Sequence, residues 1–152
     1  MTVEVQIATE CSELPDTQTV TKWVELATDQ HKNADVVVRL VDEEESAALN
    51  QAYRQKNGPT NVLSFPFEQP EGLPADALSN LTLGDLVICV PVVLSEAAEQ
   101  GKAVLAHWAH MVIHGCLHLQ GYDHIDSNDA QQMETLEIKL LDGIGIRNPY
   151  ES

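Results

Sequence analysis

Residues 102–124, KAVLAHWAHMVIHGCLHLQGYDH, contain the longest helical pattern of the chain. We predict a helix over Lys102–Gln120 that Gly121 closes as its C-cap, since glycine readily adopts the left-handed conformation that ends many helices. At about 100° per residue, four histidines of this helix fall within one arc of roughly 80°. They are His107, His110, His114 and His118. The helix is therefore expected to carry one face lined with histidines.

The segments around this helix predict a sheet and further helices. Alternating or β-branched apolar residues indicate four strands, which are Val3–Ile7, Val36–Val41, Asn61–Phe65 and Leu83–Val90. Turn and capping residues delimit four more helices. Asp16 or Thr17 caps a helix to about Asp29, and Asp42 caps a helix through Tyr53. Pro91 opens a helix that ends near Gly101, and Ser127 or Asn128 caps a last helix to about Asp142. Strands mixed with helices without strict alternation favour an α+β or mixed α/β fold. We expect a surface loop over residues 66–82 and a frayed tail over residues 147–152.

Length and composition predict one domain over residues 1–152. A chain of this length buries roughly 70% of its unfolded surface, so it needs neither a disulfide nor a metal ion to fold. Its three cysteines are an odd number at wide spacings, which fits a reducing compartment. No apolar run approaches the roughly 18 residues of a membrane span, and the N-terminus has no signal-peptide pattern. We therefore expect a cytoplasmic location.

The charge balance restricts the partners of the chain. There are 24 acidic and 8 basic residues, which give a formal net charge of −16. A field of this sign repels phosphate, so non-specific binding to nucleic acid or to an anionic membrane should be weak. Any nucleic acid partner must be held by a local basic site or by a metal ion.

Three histidines have the spacing of a catalytic metal site. His114 and His118 are one helical turn apart, and Gly121 allows the chain to turn so that His124 returns over the same face. Three nitrogen ligands with a fourth position open are typical of catalytic zinc, although imidazoles also bind nickel, copper and cobalt. The alternative is a polar helix face whose histidines only titrate in solvent.

The residues beside these ligands indicate which reaction the metal site is suited to catalyse. Three ligands suffice, so His107 and His110 are expected to support the ligands or to pack in the core. Asp123 either orients a histidine ring or caps the turn. His114 is followed by Gly115, whereas zinc peptidases have a glutamate there as general base. A peptidase would need another base, whereas phosphodiester cleavage relies more on charge neutralisation by a metal ion and an arginine.

Three motifs resemble those of the YbeY family. The stretch His114–His124 is similar to the family motif His-Gly-x-Leu-His-Leu-x-Gly-Tyr-Asp-His. Pro59–Pro66 resembles the motif Pro-Thr-Asp-Val-Leu-Ser-Phe-Pro, with Asn61 in place of the aspartate, and Arg54 precedes it at the expected distance. Gly84–Ile88 resembles the strand Gly-Asp-Ile-x-Ile, so the resemblance covers nearly the whole chain. At position 61 an amide can still cap or hydrogen-bond.

The resemblance implies a fold, an activity and a set of site residues. The implied fold is a small, mostly parallel four-stranded sheet flanked by about five helices, with the metal site on the long helix and the turn after it. The implied activity is that of a zinc-dependent, single-strand-specific endoribonuclease in ribosomal RNA processing, including 16S rRNA 3′-end maturation, and in ribosome quality control. The ligands of the one zinc ion fall on His114, His118 and His124, and the catalytic arginine falls on Arg54.

The implied substrate is ribosomal RNA on small-subunit ribosomal particles, and the implied partners are ribosomal proteins. Neither a membrane nor DNA is expected as a partner. Two alternatives stay open. One is a non-catalytic ribosome assembly factor whose structural metal takes a fourth ligand such as His110 or Asp123. The other is a metal-dependent hydrolase of another substrate, such as a peptide. Arg39, inside an apolar strand, is expected to be structural, and Ser64 to pack or to bond the backbone, because no histidine–acid pair is set to activate it.

Overall fold

The structure, a computed structural model, describes residues 2–28, 35–66, 82–120 and 127–150. These ranges contain four strands, β1 (Thr2–Ala8), β2 (Asp35–Val41), β3 (Val62–Pro66) and β4 (Thr82–Cys89). They also contain five helices, α1 (Thr17–Ala27), α2 (Glu43–Arg54), α3 (Val90–Glu99), α4 (Val104–Leu119) and α5 (Ser127–Asp142). The predicted α+β class is confirmed. None of the described helices is long and apolar enough to cross a membrane.

The four strands form one mostly parallel sheet in the order β1-β2-β4-β3. β1 pairs with β2, and β2 with β4, in parallel, so Val38 lies between Val5 and Leu86. β3 runs antiparallel to β4, with Leu63 beside Val87. β2 lies inside the sheet, and its run Val36–Val41 is apolar apart from Arg39, as is typical of strands covered on both faces.

Helices α1 and α4 cover one face of the sheet and enclose the main core. Trp108 and Ile113 of α4 are fully buried there. Gly115 allows the helix to approach the sheet closely, because a Cβ at this position would lie 2.8 Å from Leu86 Cδ2 and 3.1 Å from Val62 Cγ2. This close approach places the C-terminal half of α4, which carries two of the predicted metal ligands, against β3.

The other face of the sheet carries α2 and an ion pair. The guanidinium of Arg39 on β2 donates to Glu45 of α2 through Nε at 2.5 Å and Nη2 at 2.9 Å. Its Nη1 donates to Gln6 of β1 at 3.1 Å. These contacts tie β1, β2 and α2 together, which agrees with the structural role expected for Arg39.

The two aspartates at the predicted helix starts behave differently. The side chain of Asp16 caps α1 by accepting a hydrogen bond from the Thr19 amide at 2.8 Å. Asp42 occupies the N-cap position of α2 but makes no capping hydrogen bond. Its carboxylate instead accepts hydrogen bonds from the hydroxyl of Thr9 and from the amide of Glu10, which follow β1 in the chain. The prediction that Asp42 caps the helix is therefore wrong about the side chain, because a tertiary contact competes for it.

Several boundaries also differ from the predicted ones by one or two residues. Val90 begins α3 instead of ending β4, because Pro91 is favourable in the first turn of a helix. Helix α4 begins at Val104 rather than at residue 102. Strand β3 includes Pro66, which is tolerated at a sheet edge. Residues 67–81 of the predicted loop, and Gly121, lie outside the described residues.

The C-terminal tail is held against the rest of the chain as far as Tyr150. The hydroxyl of Tyr150 donates to Glu137 of α5 at 2.8 Å. The Lys102 ammonium donates to the carbonyl of Pro149 at 3.1 Å. The prediction of fraying from residue 147 is therefore wrong for these residues, because the tail has polar partners that are distant in sequence.

Candidate metal centre

The four histidines of α4 lie in a row on one face, as their spacing predicts. The ring centroids are 6.1 Å apart for His107 and His110, 6.0 Å for His110 and His114, and 4.6 Å for His114 and His118. The first two rings are buried, whereas the last two are half-buried. Accessibility to a ligand therefore increases toward the C-terminus of the helix.

His114 and His118 face each other through their Nε2 atoms, which are 3.1 Å apart. Two nitrogens that bind one tetrahedral zinc ion at about 2.0–2.1 Å lie about 3.3 Å from each other. At such a distance two nitrogen lone pairs repel unless a proton or a cation lies between them. The pair therefore has the separation of two ligands of a single metal ion, and either a hydrogen-bonded proton or a cation can lie between the two nitrogens.

Glu137 of α5 determines which nitrogen of His114 carries the proton. Its Oε1 lies 2.9 Å from Nδ1 of His114. An ionised carboxylate only accepts hydrogen bonds, so Nδ1 is the donor. A neutral imidazole has one N–H, which leaves the lone pair of Nε2 directed toward His118.

The Glu137 carboxylate is fully buried, yet it is ionised. Burial by itself raises its pKa, but hydrogen bonds from His110, His114 and Tyr150 lower the pKa of Glu137 to about 2. Burial lowers the pKa of His110, which keeps that ring neutral. Burial and the neighbouring carboxylate raise the pKa of Tyr150, so its phenol keeps the proton that it donates. His110 and Tyr150 are therefore neutral donors to an anionic carboxylate.

This network also offers a second position for a cation. His110, His114 and Glu137 each present one ligand atom, and these atoms lie within 4.8 Å of one another. The group can hold a metal ion. Nitrogen and carboxylate oxygen ligands suit several divalent transition metals, so the donor set does not select zinc.

Glu137 is the site residue that sequence analysis misses. It lies on the apolar face of α5, one helical turn from Met133 and one from Leu141, both of which are fully buried. A lone acid within a row of buried apolar residues is the available signal, because a buried charge requires partners. Asp123, the acid considered for orienting a histidine, lies outside the described residues, as does His124.

Arg54, the last residue of α2, contacts strand β3. Its Nη2 donates to the Ser64 carbonyl at 2.7 Å, and its guanidinium carbon lies 5.6 Å from the centre of the Phe65 ring. The Ser64 hydroxyl donates to the carbonyl of Gly115, the neighbour of His114, at 3.1 Å. Ser64 therefore makes the backbone hydrogen bond expected of it, and β3 connects Arg54 to the helix that carries the histidines.

Asn61 binds a carboxylate instead of supplying one. Its Oδ1 accepts a hydrogen bond from the Val62 amide at 2.7 Å, so its Nδ2 is directed to Glu96, 3.2 and 3.3 Å from the two carboxylate oxygens. Glu96 also lies 3.0 Å from Nε2 of His107. These contacts connect β3, α3 and α4, and they give His107 a partner on α3.

The protein is a small α+β protein with a mostly parallel sheet. Its histidines and its buried carboxylate form a candidate metal site. The model of the Endoribonuclease YbeY family matches residues 4–145. The chain therefore belongs to this family of endoribonucleases, which are hydrolases of the phosphodiester bonds within RNA. The family resemblance of the three sequence motifs is confirmed.

Proteins named Endoribonuclease YbeY are similar to the chain over most of its length. One from Methylococcus capsulatus is 60% identical over 139 residues, which are 91% of this chain and 89% of that protein. One from Alcanivorax borkumensis is 52% identical over 151 residues, which are 98% of this chain and 86% of that protein. A solution structure of a Thermotoga maritima protein has a TM-score of 0.62 at 26% identity and covers 92% of this chain and 88% of its own.

Proposed function

We propose that the chain is a single-domain, zinc-dependent endoribonuclease that cleaves single-stranded ribosomal RNA. Its proposed roles are ribosomal RNA processing, including maturation of the 16S rRNA 3′ end, and ribosome quality control. Membership of the family supports the cleavage of RNA. The observation that carries the proposal is the pair of Nε2 atoms of His114 and His118, 3.1 Å apart, with the Nδ1 proton of His114 held by Glu137.

The proposed ligands of one zinc ion are His114, His118 and His124. The facing nitrogens of the first two support this assignment. The spacing after Gly121 supports the third. A bound zinc ion supplies Lewis acidity, which stabilises negative charge on a phosphate oxygen and lowers the pKa of a bound water molecule.

Arg54 is the proposed catalytic cation. A guanidinium is planar and always charged, and it can bind two phosphate oxygens at once. Arg54 is exposed, while its hydrogen bond to Ser64 and its position over Phe65 hold the guanidinium in one orientation. A preoriented cation stabilises the charge that develops on phosphate without the cost of reorganising solvent.

The charge of the chain supports a substrate that is presented on a ribosomal particle. With a net charge of −16, the protein gains little from the long-range attraction by which basic proteins bind free RNA. We therefore propose ribosomal RNA within small-subunit particles as the substrate, ribosomal proteins as partners and the cytoplasm as the location. DNA and membranes have no part in this proposal.

The experiment that tests the proposal compares metal-free and zinc-loaded protein on small-subunit precursor rRNA, both free and within immature particles. The variants are His118→Ala and Arg54→Ala, and Arg147→Ala is the control for loss of an exposed arginine. We expect zinc-dependent cleavage by the wild type and by the control. Cleavage should fall at least about 100-fold in the other two variants, as when a group that stabilises transition-state charge is removed.

Other results would favour the alternatives. Equal traces of cleavage in all proteins would indicate contamination and favour an assembly factor with a structural metal. Unfolding of His118→Ala would favour the same alternative, because structural zinc sites contribute directly to folding. Cleavage of peptides, lost in His118→Ala, would indicate a hydrolase of another class.

A further inference from the structure

The carboxylate of Glu137 joins three parts of the chain that are distant in sequence. Its Oε1 accepts from Nδ1 of His114 at 2.9 Å. Its Oε2 accepts from Nε2 of His110 at 2.7 Å and from the hydroxyl of Tyr150 at 2.8 Å. The side chain has no exposed surface, so these three donors replace the water that a carboxylate otherwise requires.

The proton positions in this network follow from the number of donors. Tyr150 and the two imidazoles can each supply one proton to Glu137, which only accepts. Nδ1 of His110 is buried and has no hydrogen-bond partner among the described residues. That is the arrangement expected of a neutral ring whose single N–H is Nε2–H, directed at Glu137. The same carboxylate requires a proton on Nδ1 of His114, and a neutral ring with its proton there has its lone pair on Nε2.

The C-terminal tail closes this network from outside. Tyr150 is 45% exposed, but its hydroxyl reaches the buried carboxylate, and its ring lies edge-on to His110 at a centroid distance of 5.5 Å. The bond from Lys102 to the Pro149 carbonyl holds the tail against the start of α4. The tail therefore contributes a donor to the half of the molecule that carries the proposed ligands, although Tyr150 is 26 residues from His124, the nearest of them in sequence.

We propose that Glu137 is a positioning residue of the metal centre, which fixes the tautomer and the ring orientation of His114, and that Tyr150 holds Glu137 in place. This inference rests on the proposed function, because it takes His114 and His118 as ligands of the ion. Carboxylates that bind the second nitrogen of a ligand histidine raise its basicity and keep its ring directed at the metal. The C-terminal tail thereby becomes part of the site.

The distances favour this role over direct coordination by Glu137. Its contacts with His110 and His114 are 2.7 and 2.9 Å, which are hydrogen-bond lengths. Two ligand atoms of one tetrahedral zinc ion lie about 3.3 Å apart. An ion among His110, His114 and Glu137 would also have to displace both ring protons. An ion between the facing Nε2 atoms of His114 and His118 would not break the hydrogen bonds of Glu137 or displace the ring protons that it accepts.

The test uses four variants of the full chain, in which metal binding is measured separately from activity. Glu137→Gln keeps the shape and removes the charge, Glu137→Ala removes the acceptor, and Tyr150→Phe removes one donor. Asp142→Asn removes a carboxylate from an exposed position of the same helix and is the control. Zinc affinity is measured by competition with a chelator, and the visible spectrum of the cobalt-loaded protein reports ligand geometry. Thermal unfolding of the metal-free proteins separates folding from binding.

We expect zinc affinity to fall about 10- to 100-fold in Glu137→Ala, less in Glu137→Gln and least in Tyr150→Phe, with an altered cobalt spectrum in each. The control should bind zinc like the wild type. Wild-type affinity and an unchanged spectrum in the folded Glu137 variants would overturn the proposal. If neither Glu137 variant folds, an unchanged affinity and spectrum in Tyr150→Phe would overturn it.

Two histidine variants separate failure of this inference from failure of the proposed function. If His118→Ala loses zinc binding while the Glu137 and Tyr150 variants keep it, only the positioning role is wrong. If His118→Ala binds zinc normally and His110→Ala does not, the ion lies among His110, His114 and Glu137. In that case the proposed metal site is wrong as well.

Discussion

Replacing Asn61 by aspartate should destabilise the protein, although the two side chains have nearly the same shape. The amide nitrogen of Asn61 lies 3.2 and 3.3 Å from the carboxylate oxygens of Glu96. Because Oδ1 is held by the Val62 amide, the substitution places a second carboxylate oxygen where the nitrogen donor was. A hydrogen bond to a charged group thereby becomes a contact between two negative charges.

The expected loss of stability follows from this distance. Two unit charges about 3.2 Å apart interact by about 1.3 kcal/mol in water and by about 5 kcal/mol at an effective dielectric constant of about 20. The side chain of Glu96 is 28% exposed, which places the contact between these limits. We expect the free energy of unfolding to decrease by about 2–3 kcal/mol at pH 8, the lost hydrogen bond included. That corresponds to a decrease in melting temperature of about 5–10 °C.

The loss should depend on pH in a defined direction. Repulsion raises the apparent pKa of the carboxylate pair in the folded variant above the value of about 4 in the unfolded chain. At pH values between the unfolded and the folded pKa, the folded variant binds more protons than the unfolded chain. Its stability therefore falls as the pH rises through the raised pKa. The deficit relative to the wild type should be largest at pH 8 and smaller near pH 5. His107, which also contacts Glu96, is present in both proteins.

The assay is urea unfolding at pH 8 and pH 5 of the wild type, Asn61→Asp, Glu96→Gln and the double variant. In the double variant the amide and the carboxylate exchange places, so a favourable contact is restored, and most of the stability lost in Asn61→Asp should return. Wild-type stability of Asn61→Asp at pH 8 would contradict this prediction. Failure of Glu96→Gln to restore stability in the double variant would contradict it too.

Three further predictions concern the helix packing, the thiols and the metal ion. Gly115→Ala should lower the free energy of unfolding by about 1–2 kcal/mol, since overpacking against Leu86 exceeds the gain in helix propensity; equal or higher stability in urea would contradict this. Burial raises the pKa of the Cys116 thiol to about 12, so iodoacetamide at pH 8 should alkylate the half-buried Cys11 before Cys116. Peptide mass spectrometry that finds Cys116 alkylated first would contradict this. Zinc at 100 times its Kd should raise the free energy of unfolding by about 2.7 kcal/mol, as measured by calorimetry. The same increase in His118→Ala would argue against His118 as a zinc ligand.

The secondary structure and the histidine row could be predicted from sequence because both depend on local geometry. Val36–Val41 is apolar apart from Arg39 and forms most of the interior strand β2, as nearly continuous apolar runs do in parallel sheets. The facing rings of His114 and His118 follow from a spacing of four residues on a helix, whatever packs around them. Where local rules failed, as at Asp42, a tertiary partner had taken the side chain.

Local patterns in the sequence are enough to predict the α+β class, the helix that carries the histidines and the separation of His114 and His118, because the turn of a helix and the pleat of a strand set these distances over a few residues. The contacts of Glu137 depend instead on tertiary packing, which brings it to His114, 23 residues earlier in the chain, and to Tyr150, 13 residues later. The same packing places Asn61 opposite Glu96. Such pairs depend on how α5, the tail and β3 pack against α4. A buried carboxylate is tolerated only where that packing brings donors to it, so its partners lie beyond the reach of local periodicity.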